Sequence, residues 1–498
     1  MKHIVIVLYF LCSLSQSLVA TQWFVSTNGT GNGSISAPWG LQTVLTNTSI
    51  NPGDTVWLRG GSYLPPATNS GSYNDLGWMC TLKANSNSPV TFSSYSNEWA
   101  TIDRKWYLWA SDLNFINLEF YNSLKGHEQT NSLYPYGPWV HFALDTCTDL
   151  NWVNCVIHDV DNCWGGTGAT SIRGCIIWHV GVNGFEHVCY PGPPRFTGNI
   201  SGWHVNDMIE HSSDGMLLQS NIVFGTGQTQ GGVAGVDTRM GGLSYYIRYN
   251  YFYNRFSYIP PHGLPATLGC SGTSAVVETN VIVGPSPANF GSEVPDTTFT
   301  NVVFRGNTVY VDDGFFTGPV LFWSGNEGAT VLDYNNYYCV GPASFANIGV
   351  YHLTLAQWQA ANPGFDTHST ANSSIAPPDA VYVIPNQDKS KRCHIAVYNF
   401  SLANNVSVNL SGILNSGDTY QLFSAQNYNA GAVRSGIFSG STISIPMTNL
   451  TTAPILYGQN WGLSNAPPTS PEFGAFVLLG SSGSGSVNLI NAGNAIFK

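Results

Sequence analysis

Apolar positions along this chain come in short runs, broken by Gly, Asn, Asp and Pro. That pattern predicts strands and turns rather than helices. One unit recurs: Asn, or a close substitute, followed by three mostly apolar residues. It opens at Asn117, Asn154, Gly174, Asn199, Asn221, Asn250, Asn280, Asn307 and Asn336. The intervals fall mostly between about 20 and 30 residues, a spacing typical of repeat architectures. Each interval reads as one coil of a parallel β-helix, with short strands separated by turns. Strands of successive coils stack in parallel register, alternate side chains enter a continuous core, and corner asparagines can form an amide ladder. Cys155 and Cys175 hold equivalent places in adjacent coils, which predicts an interior stack rather than a disulfide. No segment between residue 20 and His352 carries a convincing helical period; a short helix is expected over His352–Ala361.

Both ends of the repeat region are marked. Trp23-Phe24-Val25-Ser26 reads as an opening strand, Asn51-Pro52-Gly53-Asp54 as a turn and Thr55-Val56-Trp57-Leu58 as the next strand. After Pro377-Pro378 the pattern changes. His394–Phe400, Val408–Leu414, Gly417–Phe423, Ile443–Met447 and Phe473–Leu479 alternate as half-buried strands of a small antiparallel β-sandwich. The expected organisation is therefore a signal peptide at 1–20, a β-helix at 21–375, a β-sandwich at 376–480 and a flexible tail at 481–498. In the signal peptide, Lys2 and His3 precede the apolar run Ile4–Leu11, and Leu18-Val19-Ala20 makes the cleavage site. A sandwich placed there is expected to cap the open end of the solenoid.

Composition narrows the function classes. Charged residues are 9% of the 498, hydrophobic residues 43% and aromatics 13%, which is not the composition of a disordered chain. A net charge of −11 argues against a nucleic-acid partner. No apolar stretch after the signal is long enough to span a bilayer. A secreted, monomeric protein is expected, and most of its remaining cysteines are expected to be small buried residues.

The segment "PGDTVWLRGGSY" resembles the first-coil signature of right-handed parallel β-helix proteins of the pectate-lyase-like superfamily. "VTFSSYSNEWATID" (Val90–Asp103) is similar to the second coil of that group. The resemblance covers roughly residues 23–345. It implies a right-handed coil and a polysaccharide substrate, and by analogy with lyases of this fold it implies Ca²⁺ as the cofactor. The sandwich resembles a domain found behind β-helices in secreted bacterial proteins. The family's catalytic signatures are absent: Trp-Ile-Asp-His, paired Asp-Asp with Gly-His-Gly, and Asp-Pro-His do not occur. His187 in "GFEHVCY" resembles a His-Gly-Ile-Tyr segment, with Val188 and Cys189 replacing Gly and Ile.

Ionisable residues are scarce, so their concentration between His158 and Asp214 singles out this region. Five residues past the repeat start stand Asp159, His179, His204 and Arg255, with Thr226 interrupting between the last two, which predicts one column on the coil face. Coils stack about 4.8 Å apart. An Asp beside a His favours imidazolium, and stacked histidines oppose double protonation. One of them would titrate near neutral pH as a general base requires. Arg255, with Arg239 or Arg248, can neutralise a substrate carboxylate. Proton removal beside that carboxylate followed by loss of the glycosidic oxygen is β-elimination, so a polysaccharide lyase is the leading expectation. His187, Asp207 and Asp214 complete the candidate catalytic set. A glycoside hydrolase on the same face would draw its carboxylate pair from Asp161, Asp207, Glu210, Asp214 and Asp237. Asp161, Asp207 and Glu210 are also the candidate metal ligands. Trp178 and Trp203 each precede a column histidine, and with Tyr136 and Trp139 in the irregular "SLYPYGPW" loop they are the candidate sugar-stacking aromatics. A non-catalytic polysaccharide-binding or adhesive protein is the alternative from a different class.

Overall fold

The computed structural model describes residues 20–66, 77–123, 143–144, 148–160, 170–180, 185–188, 195–204, 209–212, 215–225, 233–237, 244–254, 266–270, 274–284, 288–290, 301–311, 321–323, 330–340, 345–347, 350–454 and 468–483. The chain folds as a right-handed parallel β-helix followed by a small antiparallel β-sandwich. Among the described residues, two parallel sheets of twelve strands run the length of the solenoid. The first extends from Gln22–Val25 to Val331–Asp333 and the second from Gly61–Tyr63 to Thr370–Ser373. A third sheet of eight strands begins at Phe185–Val188, with a separate three-stranded sheet in the early coils. No described helix is long and apolar enough to cross a membrane.

The core follows from strand register. Phe92, Phe115, Trp152, Ile172, Phe196, Leu218, Ile247, Val277, Phe304 and Leu332 form one continuous inward column on the first sheet. In its early part Phe92, Phe115 and Trp152 stack face to face, at 5.6 and 5.1 Å. Each such side chain contributes about 1.5–3 kcal/mol by leaving water.

A single left-handed residue turns the chain from the first sheet into the second. Asn117, Asn154, Gly174, Gly198, Ser220, Tyr249, Thr279, Gly306 and Tyr334 hold this place in successive coils, all at positive φ. The residue after it begins the amide ladder. Asn199, Asn221, Asn250, Asn280, Asn307 and Asn335 are buried, and each Oδ1 from Asn221 onward accepts from the backbone N–H and the Nδ2 of the preceding rung. The expected ladder was therefore one residue out of phase at some corners. Asn117, Asn154 and Gly174 are turn residues, and Asn335 rather than Asn336 is the last rung. Cys155 and Cys175 occupy ladder places as free thiols, with the Cys155 N–H donating to Cys175 Sγ at 3.3 Å.

The ladder ends on buried Asp366, which accepts from Asn335, Tyr337, Trp358 and Ser369. Trp358 sits on the helix Leu355–Ala361, started by a Thr354–Gln357 capping box, and stacks on Phe345. This helix closes the end of the solenoid. The sandwich, expected there, lies instead along the outer face of the second sheet. Val156, Ile176, Ile200, Ile222, Phe224, Tyr253 and Val283 pack against Ala396, Tyr398, Phe423, Phe473 and Val477. Tyr253 stacks on Phe473 at 4.6 Å, and the Tyr398 hydroxyl donates to the Phe252 carbonyl. Gly202 keeps this face level, because a Cβ there would meet the Phe224 ring at 2.3 Å.

Candidate functional site

The second sheet carries part of the expected column. Asp159 and His179 are neighbours at its exit, with His179 Nδ1 3.5 Å from Asp159 Oδ1. His204 is not in line with them. Strand register pairs Val160 with Val180 and Val180 with His204, one step further along. The count slipped because Gly174 is a turn residue while Asn199 is a ladder residue. The same slip removes Trp203 from the Trp178 column, since Trp178 pairs with Gly202.

The strongest partner of Asp159 is His158, which the expected column did not include. His158 Nδ1 lies 2.6 Å from Asp159 Oδ2 and Nε2 lies 3.0 Å from Glu119 Oε1. Two carboxylates facing both ring nitrogens require both to be donors, so the ring is imidazolium. Burial alone would lower the His158 pKa; the bonds to Asp159 and Glu119 outweigh it and lift the value to about 9. Burial would likewise raise both carboxyls, but His158, helped by His179 at Asp159 and by Trp99 and Thr101 at Glu119, holds them below their ordinary range. Tyr121 and Trp178 sandwich the imidazolium at 5.4 and 4.6 Å with nearly parallel rings. From the sandwich domain, Asn429 donates to Glu119 at 3.3 Å. His158 is 5% exposed, His179 1% and Trp178 2%. This cluster is a buried ionic lock under the docked domain, and Trp178 presents no open face for a sugar. Asp159 and His179 both hold left-handed backbone, φ 51° and 52°, where the equivalent coil of Phe224 uses Gly225. Such strain in non-glycine residues concentrates at functional positions.

The third sheet gathers a different set. Phe185–Val188, Ile209–Ser212 and Val233–Asp237 are adjacent parallel strands. Glu186 pairs in register with Glu210, and Glu210 with Asp237, so three acidic positions form one column. His187 follows Glu186, and His211 follows Glu210 one coil on. Sequence reasoning had named Glu210, Asp237 and His187 without seeing their alignment, and had counted Glu186 in the ionisable cluster without giving it a role. The signal was present: an apolar residue followed by Glu-His occurs at Phe185 and again at Ile209. Among the described residues, the sandwich contacts fall on the second sheet and its corner with the first.

The remaining candidates separate. Arg248 is on the first sheet, where its Nε donates to Gln219 Oε1 at 3.2 Å. Tyr136, Trp139, Asp161, Asp207, Asp214, Arg239 and Arg255 lie outside the described residues.

No family model and no curated protein matches the chain. Solved structures of similar architecture include a GH136 lacto-N-biosidase from Eubacterium ramulus, at 13% identity over 71% of this chain and 67% of that one, with a TM-score of 0.48. A rhamnogalacturonan lyase is similar at 13% identity over 72% of this chain and 89% of that one, with a TM-score of 0.41. A pectate lyase is similar at 14% identity over 72% and 81% of the two chains, with a TM-score of 0.36. These likenesses are of fold.

Proposed function

We propose that this protein is a secreted polysaccharide-degrading enzyme whose chemistry is carried by the third sheet, through hydrolysis at the column Glu186, Glu210 and Asp237. The observation that carries the reading is their alignment on three neighbouring strands. Adjacent strands stand about 4.8 Å apart and a skipped strand gives about 9.6 Å. That range covers the carboxylate separations of retaining and inverting glycosidases, about 5–5.5 and 6.5–9.5 Å. Glycoside hydrolysis calls for one carboxyl that donates a proton to the leaving oxygen and a second that acts as nucleophile or base, and the column supplies candidates for both. A straight column along a solenoid suits a linear chain. Aligned oxygen donors also suit Ca²⁺, which enters the reading as a proposed ligand.

The second reading is β-elimination by Asp159 and His179, favoured by their strained backbone and opposed by their burial. Product chemistry separates the two. New reducing ends without ultraviolet absorbance support hydrolysis, and unsaturated, absorbing products support elimination. Assays with and without a chelator test the metal. A protein that releases neither product from uronate-rich or neutral polysaccharides overturns the enzymatic reading.

A further inference from the structure

The corner between the first and second sheets forms a straight ridge of stacked turn residues, and two of them are tyrosines. Tyr249 is 46% exposed and Tyr334 55% exposed. The coils between them place Thr279 and Gly306 on the ridge, as the backbone bonds of each turn residue to the next coil show. Three coil steps at about 4.8 Å set the two rings about 14 Å apart along the axis. Large exposed aromatics in such a line are not needed for the fold, since Thr279, Ser220 and Gly306 serve the same turn.

Tyr334 is also held in place. Its ring stacks on His368 at 4.8 Å with the planes 5° apart. Asp333 Oδ2 fixes that imidazole at 2.7 Å, and Asp333 Oδ1 accepts the His368 backbone N–H at 2.7 Å. One ring face is therefore backed and the side chain has little freedom left to lose on binding. Tyr246, 44% exposed, adds a third ring in the coil of Tyr249.

The row beside the ridge supplies hydrogen-bonding groups. Arg248, Glu278, Arg305 and Asp333 are consecutive in register, alternating cation and anion. Alternation leaves no net field to attract a polyanion, while offering donors and acceptors in turn. Beyond Tyr249 the ridge continues through Ser220, Gly198 and Gly174, which floor a cavity of about 240 Å³. Its far wall is the sandwich segment carrying Asn386 and Asp388, and Arg173 pairs with Asp388 at 2.7 Å across it.

We propose that this ridge is an ancillary binding track for a neutral polysaccharide, separate from the third sheet and using Tyr249 and Tyr334 as stacking platforms. The assignment rests on the carbohydrate-directed reading above, but not on the acidic column. The test is affinity electrophoresis of the full chain in gels cast with arabinoxylan, galactomannan or mixed-linkage β-glucan, with polygalacturonate and alginate as anionic comparisons. Wild type is expected to be retarded in at least one neutral gel. The doubly substituted Tyr249→Ala, Tyr334→Ala protein should show apparent affinity lowered by about tenfold or more, from loss of two stacking contacts. Release of reducing ends from short oligosaccharides should be unchanged, and an unchanged thermal melt checks the fold. Equal retardation of both proteins, or no retardation of wild type in any neutral gel, overturns the proposal. A protein that binds through these tyrosines yet cleaves nothing leaves the track standing and overturns the enzymatic reading instead.

Discussion

Replacing His158 with Gln removes the one cation between Glu119 and Asp159 while keeping an amide in the same space. The folded pKa of His158 is lifted from 6.5 to about 9. At about 1.4 kcal/mol per unit, the lock contributes about 3 kcal/mol. Because the folded value is raised, that contribution is complete below about pH 6.5 and lost as pH climbs through about 9. The carboxyl partners have the opposite sign: both are depressed, so their contribution fades as pH falls through and below the ordinary carboxylate range. The assay is urea unfolding of wild type and His158→Gln, followed by tryptophan fluorescence, at intervals from about pH 6 to about pH 10. The wild-type advantage should shrink by about 3 kcal/mol across that interval, with groups that titrate alike in both proteins cancelling. Parallel curves would refute an imidazolium at this site, and with it the ionic lock.

Other substitutions probe the rest of the fold. Asn250→Ala removes the side-chain partner of the buried Asn221 N–H and of the buried Leu218 carbonyl, while the Asn221 amide keeps the Phe196 and Gln219 carbonyls. At about 1–3 kcal/mol for each of these two groups, it should cost at least about 2 kcal/mol, read as a lower urea midpoint with Asn250→Ser as a partial rescue. Phe473→Ala removes a fully buried ring from the domain interface. It should cost about 3–5 kcal/mol and expose the sandwich to limited proteolysis before the solenoid; simultaneous cleavage of both would contradict the interface described here. Trp358→Ala empties the end cap and removes a bond to Asp366, so amide exchange should rise first in the last coils, near Tyr337.

Much of the solenoid was legible because a coil is a repeated sequence problem with one repeated answer. Its phase was not, for a chemical reason. Asparagine tolerates left-handed backbone and also makes a good ladder rung, so Asn117 and Asn154 look like Asn199 although they stand one residue earlier. That single step split His204 from His179. The position of the sandwich was written more plainly than it was read. Runs such as Ile222-Val223-Phe224 and Val281-Ile282-Val283 are apolar on both strand faces, as a sheet covered on both sides requires. The His158–Glu119 pair joins residues 39 apart across two coils and a docked domain, and no local pattern announces it. The acidic column, by contrast, rests on the recurring Glu-His pair and needed only the third strand of each coil to be aligned.

The central claim, that chemistry belongs to the third sheet rather than to the histidines under the sandwich, is tested by one comparison. Turnover of a polysaccharide cleaved by wild type is measured for Glu210→Gln and His179→Ala, each first shown by circular dichroism to be folded. Glu210→Gln is expected to lose activity by at least about a hundredfold, the usual scale for a missing general acid or base, while His179→Ala stays within about tenfold of wild type. Full activity in Glu210→Gln with activity abolished in His179→Ala would contradict the claim.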